Sequence, residues 1–373
     1  MAEQSGPLGA VVVGTGFGLF THVRALQDAG FEVRAIMGRD PKRTAERAAP
    51  LGIRPVTSLA EALEDSSIKL VTVATPPHAH YPVVMEAVER GCNVVCEKPF
   101  AANLEQAREM YEAAEKAGVI HMLGAEFRFE TAQALLRRVV KDGMIGKPVH
   151  FFRIFQQPGL QNPDETLSDW WEDANKGGGF LGAFGSHMID QVQYTVGRVK
   201  RVSAQLQTLA PGRPNMTADD SYSLQLELEG GAKATVIAAM AVPGPLIMGT
   251  KIVGTEGGAW IQSGRNYGDP EQVWVRNADG ERAIEVPADL VNPPPTPFPI
   301  EELIQTEQDR WHTSGFDVPP YARLFREMKQ RILGLPYEER ECAGTFADAA
   351  AGQAVLDAAR KSSAEGRWID IES

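Results

Sequence analysis

Cysteine is scarce. The chain has three among 373 residues, Cys92, Cys96 and Cys342, with no Cys-x-x-Cys pair. That argues against disulfide staples and structural zinc, so no metal is expected and a reducing cytoplasm is the expected setting. Cys92 and Cys96 stand in an apolar run, where a thiol behaves as a small buried hydrophobe. No apolar stretch approaches the roughly 20 residues of a membrane-spanning helix, so no membrane partner is expected. Met1 to Leu8 contains no basic stretch leading into an apolar one, and no secretory leader is expected. Basic charge is in deficit, with 37 Lys and Arg against 49 Asp and Glu and a formal charge of −12. That sign opposes nucleic acid and anionic lipid, which leaves a small-molecule substrate as the expected partner.

What is present is ordinary globular composition, 43% hydrophobic and 23% charged, in a chain too long for one compact core. Two domains are expected. In the first third, short β-branched runs alternate with helical patterns. Strands are expected at Ala10–Val13, Val33–Met37, Leu70–Ala74, Asn93–Cys96 and Val119–Leu123. Between them lie helices at Phe17–Ala29, from Asp40-Pro41 onward, from the Ser58/Glu61 capping box to Leu63, at about Tyr81–Arg90, and from Asn103 with Gln106. Such alternation predicts a doubly wound parallel sheet, an α/β Rossmann domain over residues 1–124.

After Gly124 the pattern changes. A helix at Thr131–Lys141 precedes successive strands at Val149–Gln156, Val199–Thr208, Ser221–Leu228, Ala232–Met240 and Ile247–Val253. Strands without intervening helices predict an open, largely antiparallel sheet in a substrate-binding and oligomerisation domain over 125–373. Asn292–Pro299 reads as a proline-rich loop, and Phe346–Lys361 as a helix that packs back on the first domain.

Gly14-Thr15-Gly16-Phe17-Gly18 follows a strand and opens a helix. Glycine there permits a sharp turn and close approach of backbone to a pyrophosphate, which sits at the helix N-terminus. Leu19 stands where the full motif has its third small residue. The second expected strand ends at Gly38 and Arg39, with Lys42 and Arg43 just beyond and no carboxylate to hold ribose hydroxyls. A guanidinium grips a 2′-phosphate with two hydrogen bonds, so NADP is expected, with NAD as the alternative if Arg39 only stacks on adenine and Lys42 and Arg43 are solvated helix charges.

Two further stretches lie just past carboxyl ends of expected parallel strands, where a doubly wound sheet keeps its ligand crevice. They are Thr75-Pro76-Pro77 with His80, and Glu97-Lys98-Pro99. Later come Gly177-Gly178-Gly179, Gly185-Ser186-His187-Met188-Ile189-Asp190, Ile252-Val253-Gly254-Thr255-Glu256-Gly257 and Arg367-Trp368. With these elements the chain resembles, over essentially its whole length, the glucose–fructose oxidoreductase, inositol dehydrogenase and rhizopine-catabolism (Gfo/Idh/MocA) family.

The resemblance implies a nicotinamide against Lys98, homodimers or homotetramers packed through the open sheet, and a substrate hydroxyl handled by Lys98 and His187. The chemistry agrees, because oxidising an alcohol removes a proton as hydride leaves the carbon, and lysine and histidine both do such work. Family members commonly carry an aspartate four residues before this histidine; here the position is Ala183. Either Lys98 and His187 work as a pair, or Glu126 or Asp173 supplies the carboxylate. Trp170, Trp171 and Asn175, with Arg128 and Arg153, are candidate substrate contacts, since indoles suit sugar-ring faces and arginines a polar rim. The alternative is that the tryptophans close a core and the arginines pair with acids. Asp190 is read as structural.

The sequence therefore points to an NADP-preferring oxidoreductase acting on a secondary alcohol or carbonyl of a sugar-like or cyclitol-like substrate. Two other readings stay open. One is a redox-neutral lyase, epimerase or glycoside-cleaving enzyme with retained cofactor; the other is a nucleotide sensor without turnover.

Overall fold

The computed structural model describes residues 7–164, 167–264, 269–294 and 298–372, with the side chains of 307, 308 and 311 outside that description. The expected loop at Asn292–Pro299 thus has 295–297 outside the described residues, as most of Met1–Leu8 is. Packing divides the chain into two units. The first is 1–101, 105–129 and 292–349; the second is 102–104, 130–291 and 350–373. A boundary was expected after residue 124, with everything beyond it in the second domain. Residues 292–349 instead pack with the first unit, because Tyr321, Leu324, Phe325 and Met328 of the Val318–Ile332 helix share a core with Phe20, Val23 and Leu26. Burial of that apolar face decides membership, and sequence order does not.

In the first unit, β1 (Gly9–Val13), β2 (Glu32–Met37), β3 (Arg54–Val56), β4 (Ile68–Val73), β5 (Asn93–Glu97) and β6 (His121–Gly124) form one sheet. Its order is β3-β2-β1-β4-β5-β6, and every pairing is parallel. β1 is buried at all five positions, as expected of a parallel strand covered on both faces. Helix starts follow local chemistry. Asp40 Oδ1 accepts from Arg43 N at 3.0 Å with Pro41 in the first turn, and Ser58 Oγ accepts from Glu61 N at 3.2 Å. Strand order reverses between β1 and β4, the switch point where open α/β sheets bind ligands.

The second unit carries β7 (Pro148–Gln156), β8 (Val199–Gln207), β9 (Ser221–Leu228), β10 (Lys233–Ala239), β11 (Ile247–Gly254), β12 (Gly258–Gln262), β13 (Gln272–Asn277), β14 (Gly280–Ala283) and β15 (Ile369–Asp370). The sheet order is β14-β13-β12-β11-β7-β10-β9-β8-β15. Only the β7–β10 pairing is parallel among the described residues, which matches the expected open, largely antiparallel sheet. From Phe151 to Phe155 the faces of β7 alternate: Phe151, Arg153 and Phe155 are buried, Ile154 is half-buried and Phe152 is 41% exposed. Phe152 joins Ile237 and Ile247 in an exposed apolar face where Trp260 and Trp274 stack across strands at 6.3 Å. Among the described residues no helix is long and apolar enough to cross a membrane.

Candidate active site

The glycine turn is wedged between neighbours of β1. Gly14 N donates to Met37 O at 2.9 Å and Ala74 N donates to Val13 O at 2.8 Å. Gly14 has φ +128°, and a Cβ there would lie 2.3 Å from Ala74 O. Only glycine fits. A Cβ on Gly16 would meet nothing within 4 Å, so the middle of the turn is open, as a pyrophosphate cradle must be. At Gly18 a Cβ would meet Val12 Cγ1 at 2.9 Å and Ala74 Cβ at 3.1 Å. Gly18 therefore supplies the close helix–strand packing expected of a small residue at position 19, and Leu19 is free to be fully buried. The helix opens with a π-turn, Gly18–His22, in which Val23 N bonds Gly18 O; such turns recur at functional sites. The residues present fit a dinucleotide.

Arg39, Lys42 and Arg43 are exposed at and beyond the end of β2, with Gly38 half-buried beside them; Lys42 lies 3.9 Å from Glu46. Arg47, not singled out from the sequence, is fully buried. It donates to Thr15 O at 2.6 Å, Leu303 O at 3.0 Å and Asp309 Oδ2 at 2.6 Å. The phosphate turn is thus tied from beneath to the returning segment. Of the β4 loop, Thr75 and Pro76 are half-buried and Pro77 is buried. His80 is fully buried, with Nε2 2.7 Å from Thr75 O and Nδ1 3.1 Å from Phe100 O, and burial lowers its pKa. Both ring nitrogens face protein carbonyls, so His80 braces the β4 and β5 loops to each other.

Lys98, half-buried, follows the end of β5. Glu97, expected on the cofactor, is 5% exposed and turned into the protein. Its carboxylate accepts from His22 Nε2 at 3.0 Å, from the Tyr321 hydroxyl, and from Lys98 N at 3.3 Å. Burial alone would push this carboxyl up. The bond and charge of His22, the Lys98 ammonium and the Tyr321 bond outweigh burial and hold it below the usual range. Glu126, 3% exposed in the turn after β6, goes the other way. Burial, aided by Asp317 and Glu97 and opposed by Lys98, holds it well above the usual range. Burial also pushes Asp317 up to about 6 against Lys98, and His312 down to about 4 with Lys98 assisting. The His312 ring meets Phe17 of the glycine turn edge-on at 4.9 Å. The Lys98 charge thus acts on three carboxyls and one imidazole from separate elements.

His22, His312, Asp317 and Tyr321 escaped the sequence reading. Glu97 is 75 residues from His22 and 224 from Tyr321, and no local pattern marks such pairs. Arg128, a candidate substrate contact, is 3% exposed and lies 3.5 Å from Asp348 of the same unit. Cys92 and Cys96 are buried, and burial pushes both thiols up, so they are poor nucleophiles.

In the second unit, His187 (3% exposed) lies in the Ser186–Thr195 helix, which is preceded by another π-turn, Leu181–Gly185. Ala183, at the position of the family aspartate, is half-buried in that turn. Asp190 is buried in the same helix, in keeping with its structural reading. Arg153 is 6% exposed and bonded to Thr250 Oγ1 across the β7–β11 ladder. Trp170 and Trp171 are half-buried with rings 6.4 Å apart, and Asn175 is exposed. Asp173 accepts from Asn175 N at 2.9 Å and caps a short turn.

Asp219 fixes the start of the histidine-bearing stretch. Its Oδ2 accepts from Leu181 N at 2.8 Å, and its carbonyl accepts from Phe180 N at 2.7 Å. Burial pushes its carboxyl up to about 6, against the Leu181 bond and the Arg360 charge and with Asp220 adding. A carboxyl raised in the folded state binds more protons than in the unfolded one. Stability therefore falls as pH rises from about 4 to about 6, by up to roughly 3 kcal/mol, and is flat above. Asp219→Asn keeps an acceptor for Leu181 and removes that cost. The variant is expected to unfold at higher temperature than wild type at neutral pH and at the same temperature near pH 4, as read by calorimetry.

The family model described as "Oxidoreductase family, NAD-binding Rossmann fold" matches residues 8–125, and the Gfo/Idh/MocA C-terminal domain model matches residues 134–260. By sequence, levoglucosan dehydrogenase of Pseudarthrobacter phenanthrenivorans is 32% identical over 182 residues, covering 48% of this chain; the chain spans about half (47%) of that relative's length. A mouse glucose-fructose oxidoreductase domain-containing protein 1 is 24% identical over 97% of this chain and 92% of its own. Among solved structures, levoglucosan dehydrogenase with NADH and levoglucosan superposes with TM-score 0.81 at 25% identity, over 98% of this chain and 100% of the other. An oxidoreductase domain protein from Kribbella flavida gives 0.80 at 25%, over 99% and 100%.

Proposed function

The chain belongs to the Gfo/Idh/MocA oxidoreductase family, and on that premise we propose that it is an NADP-preferring dehydrogenase or reductase acting on a CH–OH group of a sugar-like or cyclitol-like substrate. The observation that carries the reading lies in one parallel sheet. The open glycine turn ends β1, and Lys98 follows β5 two strands away, across the switch point. The bound nicotinamide would supply hydride acceptance or donation. Gly14–Gly18 holds its pyrophosphate with backbone donors, and Arg39 with Lys42 and Arg43 attracts a 2′-phosphate. In its amine form Lys98 accepts the hydroxyl proton at Nζ as the carbon is oxidised and becomes the ammonium; in reduction the ammonium gives that proton back. His187 shares this proton work on the strength of its motif. The levoglucosan dehydrogenase likeness and the paired indoles of Trp170 and Trp171 support a carbohydrate-like ring as substrate.

The test is a screen of sugars, polyols and sugar acids with both cofactors, followed by nicotinamide absorbance. Arg39→Ala is expected to raise KM for NADP roughly ten-fold while leaving KM for NAD within about two-fold. Equal or better turnover with NAD in the wild type would overturn the NADP preference. Ala183 is the observation that favours a second reading, a nucleotide sensor without turnover. Absence of any rate across the screen, with nucleotide still bound, is the outcome that selects it.

We further propose a homodimer or homotetramer that covers the exposed Phe152, Ile237 and Ile247 face. Light scattering is expected to give two or four subunit masses for the native protein and one for Phe152→Asp/Ile237→Asp. A cytoplasmic setting fits the three free cysteines.

A further inference from the structure

We propose that Glu97, fixed as a buried anion by His22 and Tyr321, poises the cofactor site for the oxidised, positively charged nicotinamide over the reduced, neutral one. This rests on the reading above that Lys98 faces the nicotinamide.

The mechanism gives Glu97 no proton to move, yet the fold commits three donors to it. One comes from the π-turn after the glycine loop, one from the Val318–Ile332 helix, and one from the peptide of Lys98 itself. A carboxylate so supplied stays ionised although it is 5% exposed. Tyr321 is itself fully buried, packed between Phe17 at 5.7 Å and Phe325 at 6.0 Å, so its hydroxyl cannot swing to water. In so dry a place a charge acts over several ångströms more strongly than in solvent. Hydride transfer to the oxidised ring cancels the ring's positive charge, so a nearby fixed anion favours the oxidised form and disfavours the reduced one. Differential affinity of that kind is a population shift between the two bound states.

Asp317 caps the helix that carries Tyr321, its carbonyl accepting from Tyr321 N at 3.1 Å, and it adds a pH dependence. The groups facing it are Lys98, Glu97 and His22, and it acts in turn on Glu126 and Tyr321. Above about 6 it contributes a second negative charge; below, it is neutral. Burial raises Glu126 well above the usual carboxylate range, and His312, lowered to about 4, is neutral across the same window. Preference for the oxidised cofactor is therefore expected to weaken as pH falls through about 6.

The experiment measures dissociation constants of NADP+ by calorimetry and of NADPH by fluorescence titration on the full chain. Tyr321→Phe and Glu97→Gln are expected to weaken NADP+ roughly ten-fold while NADPH changes less than about two-fold. Asp317→Asn is expected to abolish the pH dependence of the ratio and leave its acid value unchanged. Tyr321→Phe keeps the ring packing, so it reports even where Glu97→Gln fails to fold. An unchanged ratio in Tyr321→Phe and Asp317→Asn, or equal weakening of both cofactor forms, overturns the proposal. Lys98→Met separates the two readings. Lost turnover in that variant with an unchanged ratio in the others sinks the poise alone; wild-type turnover sinks the role of Lys98 on which the poise rests.

Discussion

Lys98→Met is expected to lower kcat by about 10²- to 10⁴-fold while the cofactor still binds within a few-fold of wild type. Methionine keeps the length and apolar stem of lysine and removes only the ammonium, so the backbone past β5 has no reason to move. The glycine turn lies at the end of β1 and is held by Met37, Ala74 and Arg47. What disappears is the atom that accepts the substrate's hydroxyl proton. A side effect follows from the same geometry. The Lys98 charge opposes protonation of both Glu126 and Asp317, so its removal raises the Asp317 carboxyl further above 6. Rapid-mixing kinetics at saturating cofactor, with fluorescence titration of the reduced form, checks the prediction. Turnover at the wild-type rate would end the assignment of Lys98.

The first sheet was legible because strands covered on both faces leave continuous β-branched runs such as GAVVV and IKLVTV. Strands β7 to β11 were legible for the opposite reason, one solvated face and hence alternation. β12 and β13 were not; their tryptophans pair only across strands. The Val318–Ile332 helix was missed because Pro319-Pro320 reads as a breaker, although prolines in a first turn give up no intrahelical hydrogen bond. At the site, Lys98 and the glycines carry local signatures because strand end and turn are local chemistry. His80 and Glu97 looked like cofactor contacts from position alone, and the structure turns both inward. Arg47 had a faint signal: it shares the buried face of its helix with Thr44 and Ala48, at helical spacing. Its acidic partner, 262 residues away, had none.

That buried arginine leads to the second large effect. Arg47→Met is expected to cost roughly 3–5 kcal/mol of stability, more than most core truncations, because it strands a charge. Asp309 is 5% exposed, and in its turn it caps the Glu307–Thr313 helix by accepting from Gln305 N and Thr306 N, both at 3.1 Å. The guanidinium neutralises that carboxylate at 2.6 Å while satisfying Thr15 O and Leu303 O, and it lies over the Phe20 ring, 5.3 Å from its centroid. Methionine fills the space over Phe20 but leaves two carbonyls and an anion without their donor. Because Thr15 belongs to the phosphate turn, the loss extends to function, and cofactor affinity is expected to fall together with stability. Arg47→Met/Asp309→Asn removes the stranded charge and is expected to recover part of the stability, so that the double variant is less destabilised than the sum of the singles. Cofactor affinity is expected to stay low in it, since Thr15 O still lacks its donor. Denaturant unfolding and NADPH titration on the same three variants separate the two effects. Additive stability losses would mean that the arginine and the aspartate act independently.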